Sequence, residues 1–314
     1  MGRHEWMRAA SSGREDIMSV RWAAEAPGTP EAPEAPRAII QIAHGMAEHT
    51  GRYDDLAGFF ARNGFSVYMN ETAGHGPHAE TLGYFADKDG MDYVIADMKS
   101  LEEIAREENP GAPVFLLGHS MGSFISRKYI TIYGNDLAGC LLSGTAGRNP
   151  AAPVGMAIAS LQKKVRGSKS QGKLLSAMTF GSYNKRIENP VNSYAWLSRD
   201  DEVCKSYRSD KYCGFPFTAS GYYDLLVLLR EISSDDWACK VPDKLPILIY
   251  AGDSDPVGAY GKGPVEVRDK LAKAGVSDVT LKLYPGGRHE MHNELNKQEV
   301  YQDILNWLTA RIPD

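Results

Sequence analysis

Val114-Phe-Leu-Leu-Gly118-His-Ser120-Met-Gly122-Ser-Phe124 is a short apolar run that ends in a glycine, a serine and a second glycine before a helical pattern begins. G-x-S-x-G between a strand and a helix is the spelling of a nucleophile elbow. A serine pushed out on so tight a turn sits in strained backbone, and residues two places away pass too close for side chains. Gly118 and Gly122 read as that clearance. Ser120 falls at the start of a helix beginning near Met121, where free N–H groups and the positive helix end favour a developing oxyanion. The bare pattern is common in glycine-rich loops; its strand–turn–helix setting gives it weight.

Outward from the elbow the chain alternates. Ala38–Ala43 reads as a buried strand that runs into His44-Gly45-Met46-Ala47-Glu48-His49. A helix over Thr50–Asn63 and a strand over Phe65–Met69 follow, the strand ending at Glu71-Thr-Ala-Gly74-His75-Gly76. Tyr93–Glu108 is amphipathic, with Val94, Met98, Leu101 and Ile104 on one stripe. Leu137–Leu142 is strand-like again, and Ile17–Ala24 reads as a first strand with Val20 and Trp22 on one face. After that first strand and before Ala38, Pro27, Pro30, Pro33 and Pro36 mark an extended spacer. A βαβαβαβ rhythm predicts a parallel sheet with helices on both faces and a ligand site at the carboxyl ends of its strands.

From about Arg148 to Phe217 the rhythm breaks. Pro150–Arg166 can form an amphipathic helix carrying Val154, Met156, Ile158 and Leu161, followed by aromatic residues scattered among charges. This predicts a helical cap over the strand ends. Ser220–Ile232 then rejoins the core, before strands at Leu245–Ala251 and Val279–Tyr284 and helices at Gly263–Ala274 and Lys297–Ala310. The expected division is core over 1–147, cap over 148–218 and core again over 219–314.

Composition narrows the function. The 314 residues are 43% hydrophobic and 24% charged, an ordinary globular mixture. A net charge of -5 argues against a general nucleic-acid binder. The first twenty residues show no secretory leader, Trp6 spoils a myristoylation signal, and no apolar run approaches the ~20 residues of a spanning helix. Cys140, Cys204, Cys213 and Cys239 lack C-x-x-C spacing, which suits reduced thiols in a cytoplasmic setting. His289-Glu-Met-His292 is too short for the H-E-x-x-H zinc motif, so no metal or cofactor is expected.

A serine hydroxyl needs a base, and the base an orienting acid. His289, in a glycine-rich loop after the last strand, fits the base, with chain order Ser…Asp…His. His292 reads as a surface or helix-start residue. Asp253 and Asp255 both follow the Leu245–Ala251 strand; Asp255 lies deeper in the loop, whereas Asp253 suits its own turn. The oxyanion donors are expected at the backbone of Met121 and, after the first parallel strand, of Met46, with Gly45 letting the chain turn back.

These stretches resemble the monoacylglycerol lipase/lysophospholipase branch of the α/β-hydrolase superfamily. The resemblance rests on His44-Gly-Met-Ala-Glu-His49-Thr-Gly-Arg-Tyr53, Gly74-His-Gly76, Pro113-Val-Phe-Leu-Leu-Gly-His-Ser120-Met-Gly122, Gly252-Asp-Ser-Asp255 and Gly287-Arg-His289-Glu290. It implies an α/β-hydrolase fold with an inserted helical cap, a Ser120–Asp255–His289 triad, and oxyanion amides at Met46 and Met121. It also implies hydrolysis of a lipid-like ester. Glu71 stands where such proteins often carry aspartate, and the cap has no matching signature. Candidate substrate contacts are His44, Gly45, Met156, Trp196 and Phe217. Lys163, Lys164, Arg166, Lys169 and Lys173 offer transient contact with a membrane surface or a solvated loop. The same fold hosts carboxylesterases, thioesterases and peptidases with the same triad, and some binding proteins; an aspartate-nucleophile enzyme is disfavoured because position 120 is serine.

Overall fold

A computed structural model describes residues 2–13, 15–25 and 35–312. Most of the proline-rich spacer lies outside the described residues. The strands are β1 (Arg3–Ala9), β2 (Asp16–Trp22), β3 (Ala38–Ala43), β4 (Phe65–Asn70), β5 (Val114–His119), β6 (Gly139–Ser143), β7 (Ile247–Gly252) and β8 (Val279–Tyr284). They form one sheet in the order β1-β2-β4-β3-β5-β6-β7-β8. β1 and β2 are antiparallel, β2 runs antiparallel to β4, and β3 through β8 pair in parallel.

Every residue of β3, β4, β5 and β7 is buried. That is why these strands read as continuous apolar runs: a parallel sheet is covered on both faces. Alternate residues serve opposite layers. Ile40, Ile42, Val67, Phe115 and Leu117 pack with helices α1 (Asp54–Arg62) and α9 (Lys297–Thr309). Ile39, Tyr68, Val114, Leu116 and Ile249 pack with α2 (Gly90–Glu108), α3 (Met121–Tyr133), α7 (Ala219–Ser233) and α8 (Lys262–Lys273). Each large apolar side chain so buried stabilises the fold by about 1.5–3 kcal/mol before entropy is counted.

Between β6 and α7 the described chain adds no strand to this sheet. It forms α4 (Ala152–Arg166), α5 (Lys173–Phe180) and α6 (Asp201–Ser209), with an isolated bridge between Gln171 and Thr218. α4 lies against α7, where Gly155 meets Leu226. Trp196, Leu197, Cys204 and Tyr207 form a small separate core.

Candidate active site

β5 delivers Ser120 to the start of α3 with φ 53° and ψ -119°, a conformation that costs a non-glycine residue energy. The neighbouring glycines are forced. A Cβ on Gly122 would stand 2.0 Å from the Ala43 carbonyl oxygen, and one on Gly118 would stand 2.3 Å from that of Gly122. The Ser120 N–H donates to Ser143 O at 2.9 Å, pinning the elbow to β6.

The turns after β7 and β8 bring in the other two side chains. His289 Nδ1 lies 2.9 Å from Asp255 Oδ2, with both residues buried. Asp255 Oδ1 accepts the Val257 N–H at 2.8 Å, which fixes the carboxylate. Asp253 instead accepts from Gly286 N and from Ser254 Oγ, closing its own turn. Burial opposes charge on His289, but the facing Asp255 carboxylate outweighs it and holds the imidazole pKa above its ordinary value. Ser120, His289, Gly45, Met46, Met121 and Trp196 line one cavity of about 280 Å³. Both side chains line that cavity, and among the described residues no hydrogen bond joins the hydroxyl to the imidazole. Such contacts commonly tighten only when substrate binds.

In the loop after β3 two of the amides are taken by side chains. Gly45 N–H donates to Glu48 Oε1 at 2.6 Å and Ala47 N–H to His75 Nε2 at 3.2 Å. Among the described residues Met46 N–H has no protein acceptor, and Met121 N–H opens α3 where no preceding helical turn can take it.

Several expected residues sit elsewhere. His44 is buried behind the cavity, its Nδ1 2.8 Å from Gly45 O and its Nε2 accepting the Thr72 N–H. Phe217 does not line the cavity: it fills the junction beside Gly83, against the rings of His75, Phe85 and Tyr222. Met156 is not a cavity residue either, because α4 is committed to packing along α7. His292 is not at the surface. It is buried, stacked on Tyr53 with centroids 4.8 Å apart and edge-on to His119 at 4.7 Å. Burial pushes its pKa down to about 4, and burial beside His292 and His289 holds His119 well below the ordinary range, so both are neutral.

A buried ionic trio supports the cavity floor and was not legible in the sequence. Arg52 donates to both oxygens of Glu290 at 2.7 Å and to Glu48 Oε2 at 2.6 Å. Glu48 Oε1 also accepts from Tyr53 OH at 2.8 Å. The loop after β3 is thereby tied to the residue that follows His289. The available signal was the pair of glutamates flanking His49 and His289, but partners 238 residues apart cannot be matched from spacing.

The chain is similar to known proteins. Residues 34–296 match the family described as serine aminopeptidase, S33. The chain is 30% identical to a monoacylglycerol lipase of Mycolicibacterium smegmatis, over 88% of this chain and 90% of that one. It is 27% identical to the human monoglyceride lipase, over 88% of this chain and 84% of that one. A thermostable carboxyl esterase from Bacillus coagulans, solved with glycerol, superposes with a TM-score of 0.90 at 31% identity over 100% of both chains. The chain therefore belongs to the serine aminopeptidase S33 family, in the monoacylglycerol lipase-like branch of the α/β-hydrolase superfamily.

Proposed function

We propose that this ester hydrolase cleaves monoacylglycerol-like esters through Ser120, His289 and Asp255. The observation that carries the reading is the convergence of the strained serine and the buried Asp255–His289 pair on one cavity. Ser120 Oγ attacks the acyl carbon while His289 Nε2 takes its proton; Asp255 holds the ring by Nδ1 and stabilises the imidazolium. The carbonyl oxygen becomes an oxyanion facing the Met46 and Met121 amides, donors fixed in place before charge develops. His289 then protonates the leaving alcohol. Water, deprotonated by the same imidazole, attacks the acyl-enzyme and releases the fatty acid.

Phe124, Phe180, Trp196, Leu225 and Leu229 give the cavity an apolar wall suited to an acyl chain. Residues 148–218 serve as its cap. On α4, Val154, Leu161 and Val165 are 58%, 64% and 71% exposed beside Lys163, Lys164 and Arg166, an amphipathic surface suited to transient contact with anionic lipid. No helix among the described residues is long and apolar enough to cross a membrane.

The test is Ser120→Ala against a panel of monoacylglycerols, lysophospholipids, short p-nitrophenyl esters and aminoacyl amides, with fluorophosphonate labelling in parallel. Turnover and labelling should both vanish in the variant, and monoacylglycerols should be the preferred substrates of the parent. Labelling that persists without Ser120 removes it as the nucleophile. Preference for aminoacyl amides moves the protein to the peptidases of its family.

A further inference from the structure

The loop that carries Met46 is held from outside the sheet. Ala47 sits at φ 55°, a left-handed conformation that a non-glycine residue adopts only under constraint. Its carbonyl oxygen accepts two hydrogen bonds from the cap: Tyr207 OH at 2.8 Å and Gly214 N–H at 2.9 Å. At the other end of the loop, His49 Nε2 lies 2.8 Å from Asp210 Oδ2. His49 Nδ1 accepts the Gly51 N–H, which leaves Nε2 as the N–H that donates to Asp210. Asp210 Oδ1 accepts the Tyr212 N–H at 2.8 Å, so the carboxylate is fixed on its own side. Tyr207, Asp210 and Gly214 belong to one short stretch, the end of α6 and the turn after it.

We propose that Tyr207 and Asp210 are positioning residues through which the cap sets the oxyanion hole. The inference rests on reading Met46 N–H as an oxyanion donor. A peptide plane joins the Met46 carbonyl to the Ala47 nitrogen, and the next joins the Ala47 carbonyl to Glu48. The Met46 N–H lies one plane earlier, between Gly45 and Met46, so the cap acts on it by fixing the far end of the turn: Gly45 N–H is tied to Glu48 Oε1, Ala47 N–H to His75 Nε2 and Ala47 O to Tyr207 and Gly214, and the Gly45–Met46 plane is held between these anchors. Free of its cap partners, Ala47 would relax toward negative φ, the turn would lose its far anchor, and the Met46 N–H would no longer be held toward the cavity. The cap thus does more than cover the acyl chain. Its seating, through the end of α6 and the turn after it, holds one of the two donors in place, and a displaced cap leaves an elbow with half an oxyanion hole.

The experiment uses the full chain and three variants on this stretch. Tyr207→Phe removes one hydroxyl and keeps the ring; Asp210→Ala removes the acceptor of His49; Asp210→Asn restores a neutral acceptor. Glu202→Gln, on the exposed side of α6, is the control. Steady-state hydrolysis of p-nitrophenyl butyrate is read beside inhibition by an alkyl trifluoromethyl ketone, which forms a reversible tetrahedral adduct with a reactive serine. Tyr207→Phe and Asp210→Ala should each lower kcat about tenfold with KM held within about twofold, because misplacing a donor acts on the transition state. Affinity for the ketone should fall by the same factor, and Asp210→Asn should recover most of both. Unchanged kcat and ketone affinity in both variants, or a change in KM alone, overturns the inference. A parent enzyme that turns over ester but does not bind the ketone, or an active Ser120→Ala, refutes the serine mechanism itself. If Tyr207→Phe lowers stability, the two Asp210 variants carry the test.

Discussion

Gly122→Ala tests the elbow most directly. The added Cβ would lie 2.0 Å from Ala43 O, 2.5 Å from its carbonyl carbon and 2.7 Å from His44 O. Real Cβ contacts stay beyond about 3.0 Å, so α3 must retreat from β3 by about 1 Å. The obstacle is backbone on a central strand and cannot rotate away. Overpacking of this kind costs about 1–3 kcal/mol, which for a chain of this size lowers Tm by roughly 2–10 °C. The same retreat carries Ser120 and Met121 with it. A misplacement of about 1 Å at a reacting centre can cost about 100-fold in rate. The assay is the second-order rate of fluorophosphonate labelling, measured well below Tm with folding followed by circular dichroism. Gly2→Ala, whose Cβ would meet only Ala23 at an ordinary 3.6 Å, is the control and should leave both quantities unchanged. A Gly122→Ala protein with parental Tm and parental labelling rate would show that the elbow has slack, and the account of its glycines would be wrong.

The Asp255 carboxylate holds the His289 pKa above its ordinary value, so kcat/KM should rise with pH through a midpoint above about 6.5. Asp255→Asn should move that midpoint down and cut turnover by about 10⁴; a profile unmoved by the substitution would separate the two residues. The sign for stability is opposite: this pair contributes fully below about 6.5 and fades as pH rises through the folded pKa, so activity climbs while that contribution falls. Arg52→Met strands Glu48 and Glu290 in the interior and should cost about 3–5 kcal/mol, with a deficit in thermal unfolding that shrinks on acidification as Glu290, no longer held low by Arg52, takes up a proton. Equal losses at pH 5 and 8 would argue that Arg52 acts by packing alone. Leu161→Asp on α4 should slow hydrolysis of monoacylglycerol in anionic vesicles and spare a soluble ester; equal effects on both would remove the membrane-facing role.

Much of this molecule was visible before folding because its central strands are buried on both faces. An unbroken run such as Ala38–Ala43, ending at a turn, needs no partner to be recognised, and the turns after β3, β5, β7 and β8 line the cavity. β1 escaped detection because its pattern of exposure carries no apolar face; it is held by main-chain pairing to β2. α6 escaped because only Cys204 and Tyr207 in its sequence are buried. The candidate triad could be proposed because each member follows a strand end, and depth in the loop pointed to Asp255 over Asp253. Phe217 and Met156 were misplaced for one reason: an aromatic or sulfur side chain in a cap fills a seam as readily as a substrate tunnel, and periodicity does not tell the two apart. The Arg52 trio and the fate of His292 depend on which loops meet in space, and only coordinates supply that.

The span between Arg52 and Glu290 has a consequence for the chain as it is made. The loop after β3 leaves the ribosome early, the serine next, and the glutamate that completes the ionic trio only with the last crossovers. Until then Arg52 can neutralise Glu48 but has no second carboxylate, and His289 does not yet exist. On the proposed triad, a chain that stops short of His289 carries the serine but neither its base nor the second carboxylate of the trio.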